Sequence, residues 1–214
     1  MAERKKRTRK RPVCFISLPK CASSSIGKVL VAWDNTWNLM GNYDQFTKTH
    51  LPPDEVSRLW SQGWWFTFVR NPWARVVSAW QMFEQNPKFC DPAVGGRTRT
   101  LEEVVRLAEI DWSTYARPFP DQQYPRHLYG GDDYLQAHLS PCTVGPLDRM
   151  HFIGQVESID QDWETVQDCT GIRVPLKRRN QTSHGHYRQY FTAETRGRVA
   201  DIYREDIERF AYSF

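Results

Sequence analysis

No stretch of the 214 residues is apolar for long enough to cross a bilayer, and the apolar run behind the basic start, Val13 to Leu18, is six residues long and includes Ser17. A secretory leader needs about 7–15 apolar residues in that place and a membrane helix about 20, so a cytoplasmic protein without a membrane span is expected. Cysteine is scarce: Cys14, Cys21, Cys90, Cys142 and Cys169 are odd in number and nowhere spaced C-x-x-C. That argues against structural zinc and against a complete disulfide framework, leaving a Cys90–Cys142 bridge open. Basic charge is lacking from the body of the chain. The net charge is +4, but Met1 to Pro12 contributes +6, so the remainder carries −2. A nucleic-acid-binding domain spreads its positive charge over a folded face, so no nucleic-acid partner is expected. Disorder of the whole is excluded by a composition that is 40% hydrophobic and 14% aromatic. We read residues 1–12 as a basic, disordered tail and residues 13–214 as one domain.

Strand and helix signals alternate within that domain. Val13 to Leu18 follows one proline and stops at another, the pattern of a buried strand, and Ile26, Val29, Leu30 and Trp33 then recur at helical spacing behind serines suited to capping. Trp64 to Val69 is a second buried strand. It runs through Arg70 into Asn71-Pro72, a helix start, with Trp73, Val76, Val77, Trp80 and Phe83 on the apolar stripe. Phe152 to Val156 forms a third strand, followed by an expected capping box Ser158-x-x-Gln161 and a helix stopping at Thr170-Gly171. Thr100-x-x-Glu103 caps a further helix, and one long final helix places Val199, Ile202, Tyr203, Ile207 and Phe210 inward. Asn86 to Arg99 and Asp111 to Pro146, rich in Pro, Gly and Asp, are expected to be long loops over the sheet edge. The fold class is α/β, a central parallel sheet flanked by helices.

The first strand-to-helix turn, Pro19 to Ser25, combines Lys20 with Ser23, Ser24 and Ser25 at a helix N-terminus, where free N–H groups and the helix dipole favour an anion. A Walker A loop would align Gly27-Lys28 with its Gly-Lys pair, but Ala22 then stands at the first glycine and Val29 at the metal-binding hydroxyl. After the second strand, Arg70 and, on the next helix, Asn71, Arg75 and Ser78 lie at steps that share a face. In a parallel sheet the two turns share one edge, so Arg70 and Ser78 are placed to meet the same ligand as Lys20. Two such turns suit a ligand with two separated phosphates.

Leu18-Pro19-Lys20-Cys21-Ala22-Ser23-Ser24-Ser25 resembles the 5′-phosphosulfate loop of sulfotransferases that use 3′-phosphoadenosine 5′-phosphosulfate (PAPS). Phe68-Val69-Arg70-Asn71-Pro72-Trp73-Ala74-Arg75-Val76-Val77-Ser78-Ala79-Trp80 resembles their 3′-phosphate motif. The likeness is to the carbohydrate, family 2 branch, and continues through Phe152 to Trp163 and Tyr203 to Tyr212. It implies a P-loop-like sulfotransferase fold and transfer of a sulfuryl group from PAPS to a carbohydrate hydroxyl, with no metal. By position, Lys20 would stabilise the leaving phosphate, the Cys21 to Ser25 loop would bind the 5′ side with its Ala22 to Ser25 backbone as the cradle, and Arg70 and Ser78 would hold the 3′-phosphate. His50 is our choice of general base, since an alcohol needs its proton taken during attack.

His138, His151 and Glu157 are secondary candidates. His184 and His186 lack a third metal ligand, and Lys177-Arg178-Arg179-Asn180 is either a solvated basic turn or, as the resemblance implies, a segment that closes over the nucleotide. Alternative readings are a P-loop-like nucleotide kinase dependent on Mg²⁺, and a non-catalytic binder of polyanions that grips through its tail.

Overall fold

The computed structural model describes residues 11–31, 33, 36–39, 53–94, 96–114, 131–177 and 185–214. Four parallel strands, β1 (Val13–Ile16), β2 (Thr36–Leu39), β3 (Trp64–Val69) and β4 (Phe152–Gln155), stand in the order β2-β1-β3-β4. All of β1 and all of β3 after Trp64 are buried. This is what covering a parallel sheet on both faces requires, and it explains why these strands read as unbroken apolar runs.

Helix α1 (Ser23–Val31) follows β1, α2 (Pro53–Gln62) precedes β3, and α7 (Ile159–Thr170) follows β4. Ile26, Val29, Leu30, Leu59, Ile159, Trp163 and Val166 from these helices form one core with the strands. A second core surrounds α3 (Pro72–Gln85): Trp73, Val76, Val77, Ala79 and Phe83 pack with residues of α5 (Leu101–Leu107), α6 (Asp132–Leu139) and α8 (Ala193–Ile202). Full burial of such a side chain contributes about 1.5–3 kcal/mol. Because α3 is enclosed by helices, Pro72 to Ala79 are buried on every side. The face carrying Arg75 and Ser78 therefore points into protein.

The α/β class, the three expected strands and the Asn71-Pro72 helix start are observed. The Asn71 side chain accepts from the Ala74 N–H at 3.3 Å. Thr100 and Glu103 form the expected capping box. α7 stops at Gly171, whose φ of 79° lies in the left-handed region that glycine adopts freely.

Four readings are corrected. Ser158 caps nothing: a short 3₁₀ turn, Val156–Ser158, leads into α7 and takes Ser158 out of the extended conformation an N-cap needs. Its hydroxyl donates instead to Asp162 at 2.7 Å. The final helix is two, α8 and α9 (Arg204–Phe210), broken at Tyr203 with φ −107° and ψ 28°, where the phenol donates to the Leu139 carbonyl at 2.6 Å. Residues 86–94 and 96–99 are packed rather than draped: α4 (Pro87–Cys90) stacks Phe89 on Phe83 at 4.6 Å, and the Arg99 side chain reaches Asp132 at 2.7 Å. Within the second expected loop, α6 buries Tyr134, Leu135 and Leu139 against α3. The rest of that loop from 115 to 130, and the tail at 1–10, lie outside the described residues.

Candidate active site

The sheet order makes a crevice. From β1 the chain passes to β2 on one side, and β3 lies on the other, so the turns after β1 and β3 diverge between neighbouring strands. An α/β sheet binds ligands at this point. Lys20 sits in one turn and Arg70 in the other, with an Arg70 guanidinium N–H donating to the Lys20 carbonyl at 3.4 Å.

The first turn is shaped by two residues with positive φ, Lys20 at 63° and Ala22 at 62°. Each costs roughly 1–2 kcal/mol for a side chain bearing Cβ. Ala22, aligned with the absent Walker glycine, thus adopts the glycine conformation anyway. The turn is closed by Ser23, whose hydroxyl donates to the Leu18 carbonyl at 2.7 Å. The N–H groups of Ser25 and Ile26 both donate to the Ala22 carbonyl. Ser25 therefore has no N–H for a ligand, and the expected cradle narrows to Ala22, Ser23 and Ser24, whose N–H groups make no hydrogen bond among the described residues. The Cys21 side chain points into the core, fully buried.

Lys20 is half-buried, and among the described residues its ammonium finds only the Met82 thioether, at 3.1 Å, a weak acceptor. Burial, aided by the positive charge of Arg70, lowers its pKa to about 7. Burial likewise lowers Arg70. Neither cation forms an ion pair with a carboxylate among the described residues. Two adjacent cations that repel each other above unused N–H groups fit an anion. Ser78 lies four residues before Met82 and so on the helix face that Lys20 touches. Its hydroxyl makes no hydrogen bond among the described residues.

The second turn is braced from behind. The Asn71 N–H donates to Glu157 Oε1 at 2.9 Å and the Asn71 amide to the Ser213 carbonyl at 2.9 Å. Glu157 is thereby a support for the Arg70 turn. His138 is buried beneath the site, its ring edge-on to Phe83 and its Nδ1 2.8 Å from the Tyr134 carbonyl; burial holds its pKa near 4. His151 is at the opposite edge of the sheet, where its Nδ1 accepts from the Trp65 N–H at 3.0 Å. That position removes it as a candidate. His186 caps a short 3₁₀ segment, Tyr187–Tyr190, by accepting from the Arg188 N–H. Lys177 is exposed, whereas His50, Arg178 to Asn180 and His184 lie outside the described residues.

Sequence reasoning missed the support formed by Arg75 and Asp206. Both are about 1% exposed. The Asp206 carboxylate accepts from Arg75 at 3.4 Å and from the N–H groups of Cys142 and Thr143, each at 2.8 Å. Arg75 also donates to the Ser140 carbonyl at 2.6 Å. Its charge is strongly retained against burial because Asp206 and its neighbours favour it. Both residues stand in family-like stretches, but nothing in either stretch discloses the pairing. All five cysteines are free thiols, and Cys142 faces Cys21 rather than Cys90.

Among the described residues no group of three or more His, Cys, Asp or Glu side chains is arranged to hold a metal ion. Also among them, no helix is long and apolar enough to cross a membrane. A parallel sheet whose paired strand-to-helix turns carry Lys20 and Arg70 at its switch point is an α/β domain. The family model described as "Sulfotransferase family" matches residues 6–213, and the chain belongs to this family, the family 2 sulfotransferases. It is a sulfotransferase, an enzyme that moves a sulfuryl group to a hydroxyl-bearing acceptor. Neither the curated proteins nor the solved structures give a significant match.

Proposed function

We propose that this chain takes its sulfuryl group from PAPS and delivers it to a sugar hydroxyl. The observation that carries the reading is the pair Lys20 and Arg70, cations at adjoining turns with no carboxylate partner among the described residues, beside the free N–H groups of Ala22, Ser23 and Ser24. PAPS supplies an activated sulfuryl group on a phosphate leaving group and a second phosphate at the 3′ position. Ala22 to Ser24 bind the 5′ side through backbone N–H groups. Lys20, recharged by the incoming anion, neutralises charge that develops on the leaving phosphate oxygen, the dominant demand of such a transfer. Arg70 and the Ser78 hydroxyl hold the 3′-phosphate. His50 takes the acceptor proton. The same reading keeps residues 1–12 as a basic arm apart from the domain 13–214, and sets the enzyme in the cytoplasm.

The test is calorimetric titration with PAP, 5′-AMP and ATP with Mg²⁺. Tight, metal-independent binding of PAP, much weaker binding of 5′-AMP and no preference for ATP support the two-phosphate site. Preference for ATP with Mg²⁺ refutes it in favour of a kinase. Turnover of PAPS in a screen of glycan acceptors tests the sugar assignment.

A further inference from the structure

Behind the donor loop lies a second pair of reactive groups. Cys21 Sγ and Cys142 Sγ are 3.9 Å apart, both side chains fully shielded from solvent, and they come from segments 121 residues apart in the chain. The two sulfurs are held differently. Cys142 is fixed at the start of a 3₁₀ turn, Cys142–Val144: its N–H donates to Asp206 at 2.8 Å and its sulfur accepts from the Arg75 guanidinium at 3.3 Å. Apart from the Cys142 sulfur, the hydrogen-bond partners of Cys21 among the described residues are the Leu18 carbonyl, reached by its N–H at 3.3 Å, and the Pro19 carbonyl, reached by its thiol at 3.4 Å. It stands between Lys20 and Ala22, the two residues with left-handed backbone that shape the cradle.

We propose that Cys21 and Cys142 are a redox-active dithiol whose oxidation to a disulfide by a hydroperoxide or a small disulfide disables the donor site, and whose reduction restores it. The effect on donor binding rests on the function proposed above, whereas the dithiol rests on geometry alone. A disulfide has an S–S distance of about 2.05 Å, so the sulfurs must close by about 1.9 Å from their 3.9 Å separation. Because Cys142 is clamped, Cys21 makes most of that movement. Lys20 and Ala22 are its chain neighbours and are re-aimed with it.

The charges favour Cys21 as the attacking sulfur. Burial raises its pKa, but the hydrogen bond with Cys142 and the positive charges of Arg75 and Arg70 outweigh burial, and the net direction is down. Cys142, whose hydrogen bond to Cys21 and burial act together, is pushed up. The Cys21 thiolate attacks one peroxide oxygen: an S–O bond forms, the O–O bond breaks and hydroxide leaves as water after protonation. Cys142 sulfur then attacks Cys21 sulfur, the S–O bond breaks, and a second water leaves with the Cys142 proton. Two thiols lose two electrons and hydrogen peroxide becomes two waters. A dithiol reductant reverses the change by exchange.

The experiment uses the full chain carrying Cys169→Ser, which removes the exposed thiol. The protein is equilibrated with hydrogen peroxide or with glutathione buffers of graded ratio, alkylated, digested and mapped by mass spectrometry, and PAP is titrated into each state. A Cys21–Cys142 linked peptide is expected, reversed by dithiothreitol. With it comes a PAP dissociation constant raised by about tenfold or more, as loss of one hydrogen bond to a charged group produces. A further Cys142→Ala substitution should bind PAP as the reduced protein does and, lacking the resolving thiol, should form no linked peptide at Cys21 under peroxide. Alkylation of both cysteines as free thiols after full oxidation, or pairing of Cys21 elsewhere, overturns the dithiol. A linked peptide with unchanged PAP affinity overturns its control of the site. If the reduced protein also fails to bind PAP, the donor assignment falls, while the peptide map still decides the dithiol.

Discussion

The guanidinium of Arg70 donates to the main-chain oxygen of Lys20 at 3.4 Å, joining two turns that follow neighbouring strands. One hydrogen bond thus couples the orientation of both cations, and the charge of Arg70 falls on Lys20.

Lys20→Ala should reduce sulfuryl transfer by about 3 kcal/mol in barrier, the effect of removing a group that stabilises developing negative charge. PAP release per enzyme under saturating donor, with an unchanged melting profile, measures it. A rate near that of the parent enzyme refutes the role.

Proton uptake should accompany donor binding. The unfolded chain holds the Lys20 proton up to about pH 10.4, whereas the folded domain releases it near 7. Between those limits the unfolded state binds more protons, so the empty domain gains stability as pH rises through that window, and the cost of burying the charge is fully present below it. An anion that recharges Lys20 must draw a proton from solvent. Titrations with PAP at pH 8 in two buffers of different ionisation enthalpy should show uptake of about one proton, absent in Lys20→Ala. No uptake in the parent protein contradicts the low value.

Arg70→Ala should weaken PAP binding much more than 5′-AMP binding if the side chain holds the 3′-phosphate as proposed. A charge-assisted contact of this kind contributes about 1.5–3 kcal/mol. Parallel titrations measure the difference, and equal losses for both ligands would assign Arg70 to the 5′ side instead.

Asp206→Ala should be severely destabilising, by about 3–5 kcal/mol, since it leaves the Arg75 charge buried without its partner. Urea denaturation should also show that Arg75→Met with Asp206→Leu recovers part of the loss. Full additivity of the two single changes would argue against a direct pair.

Ala22→Gly should be tolerated within about 1 kcal/mol, relief of the left-handed conformation offsetting the greater freedom of glycine when unfolded. Ala22→Val should cost more, because a β-branched residue resists φ near 62°. Melting temperatures of the two variants decide this.

The centre of the sheet was legible because strands buried on both faces spell themselves as apolar runs; β2, a polar-mixed Thr-Trp-Asn-Leu at the edge, does not. The two turns that carry Lys20 and Arg70 were legible because each is a local strand-to-helix junction. Features made by distant partners were not. Arg75 meets Asp206 across 131 residues and Cys21 meets Cys142 across 121, pairings that no local spacing encodes. Ser158 and Tyr203 carry the right side chains for a cap and for a continuous helix. Their backbone angles are set by a 3₁₀ entry in one case and by the hydrogen bond to Leu139 in the other.

The enclosure of α3 shapes how this gene can drift. Along α7 only Ile159, Trp163 and Val166 face inward, so accepted replacements should recur with the helical repeat. From Pro72 to Ala79 no side of α3 is open, and the rhythm vanishes: a saturation library should show an unbroken block of intolerance there. The stretch of α3 that carries Ser78 and Arg75 has no neutral face on which variation can accumulate.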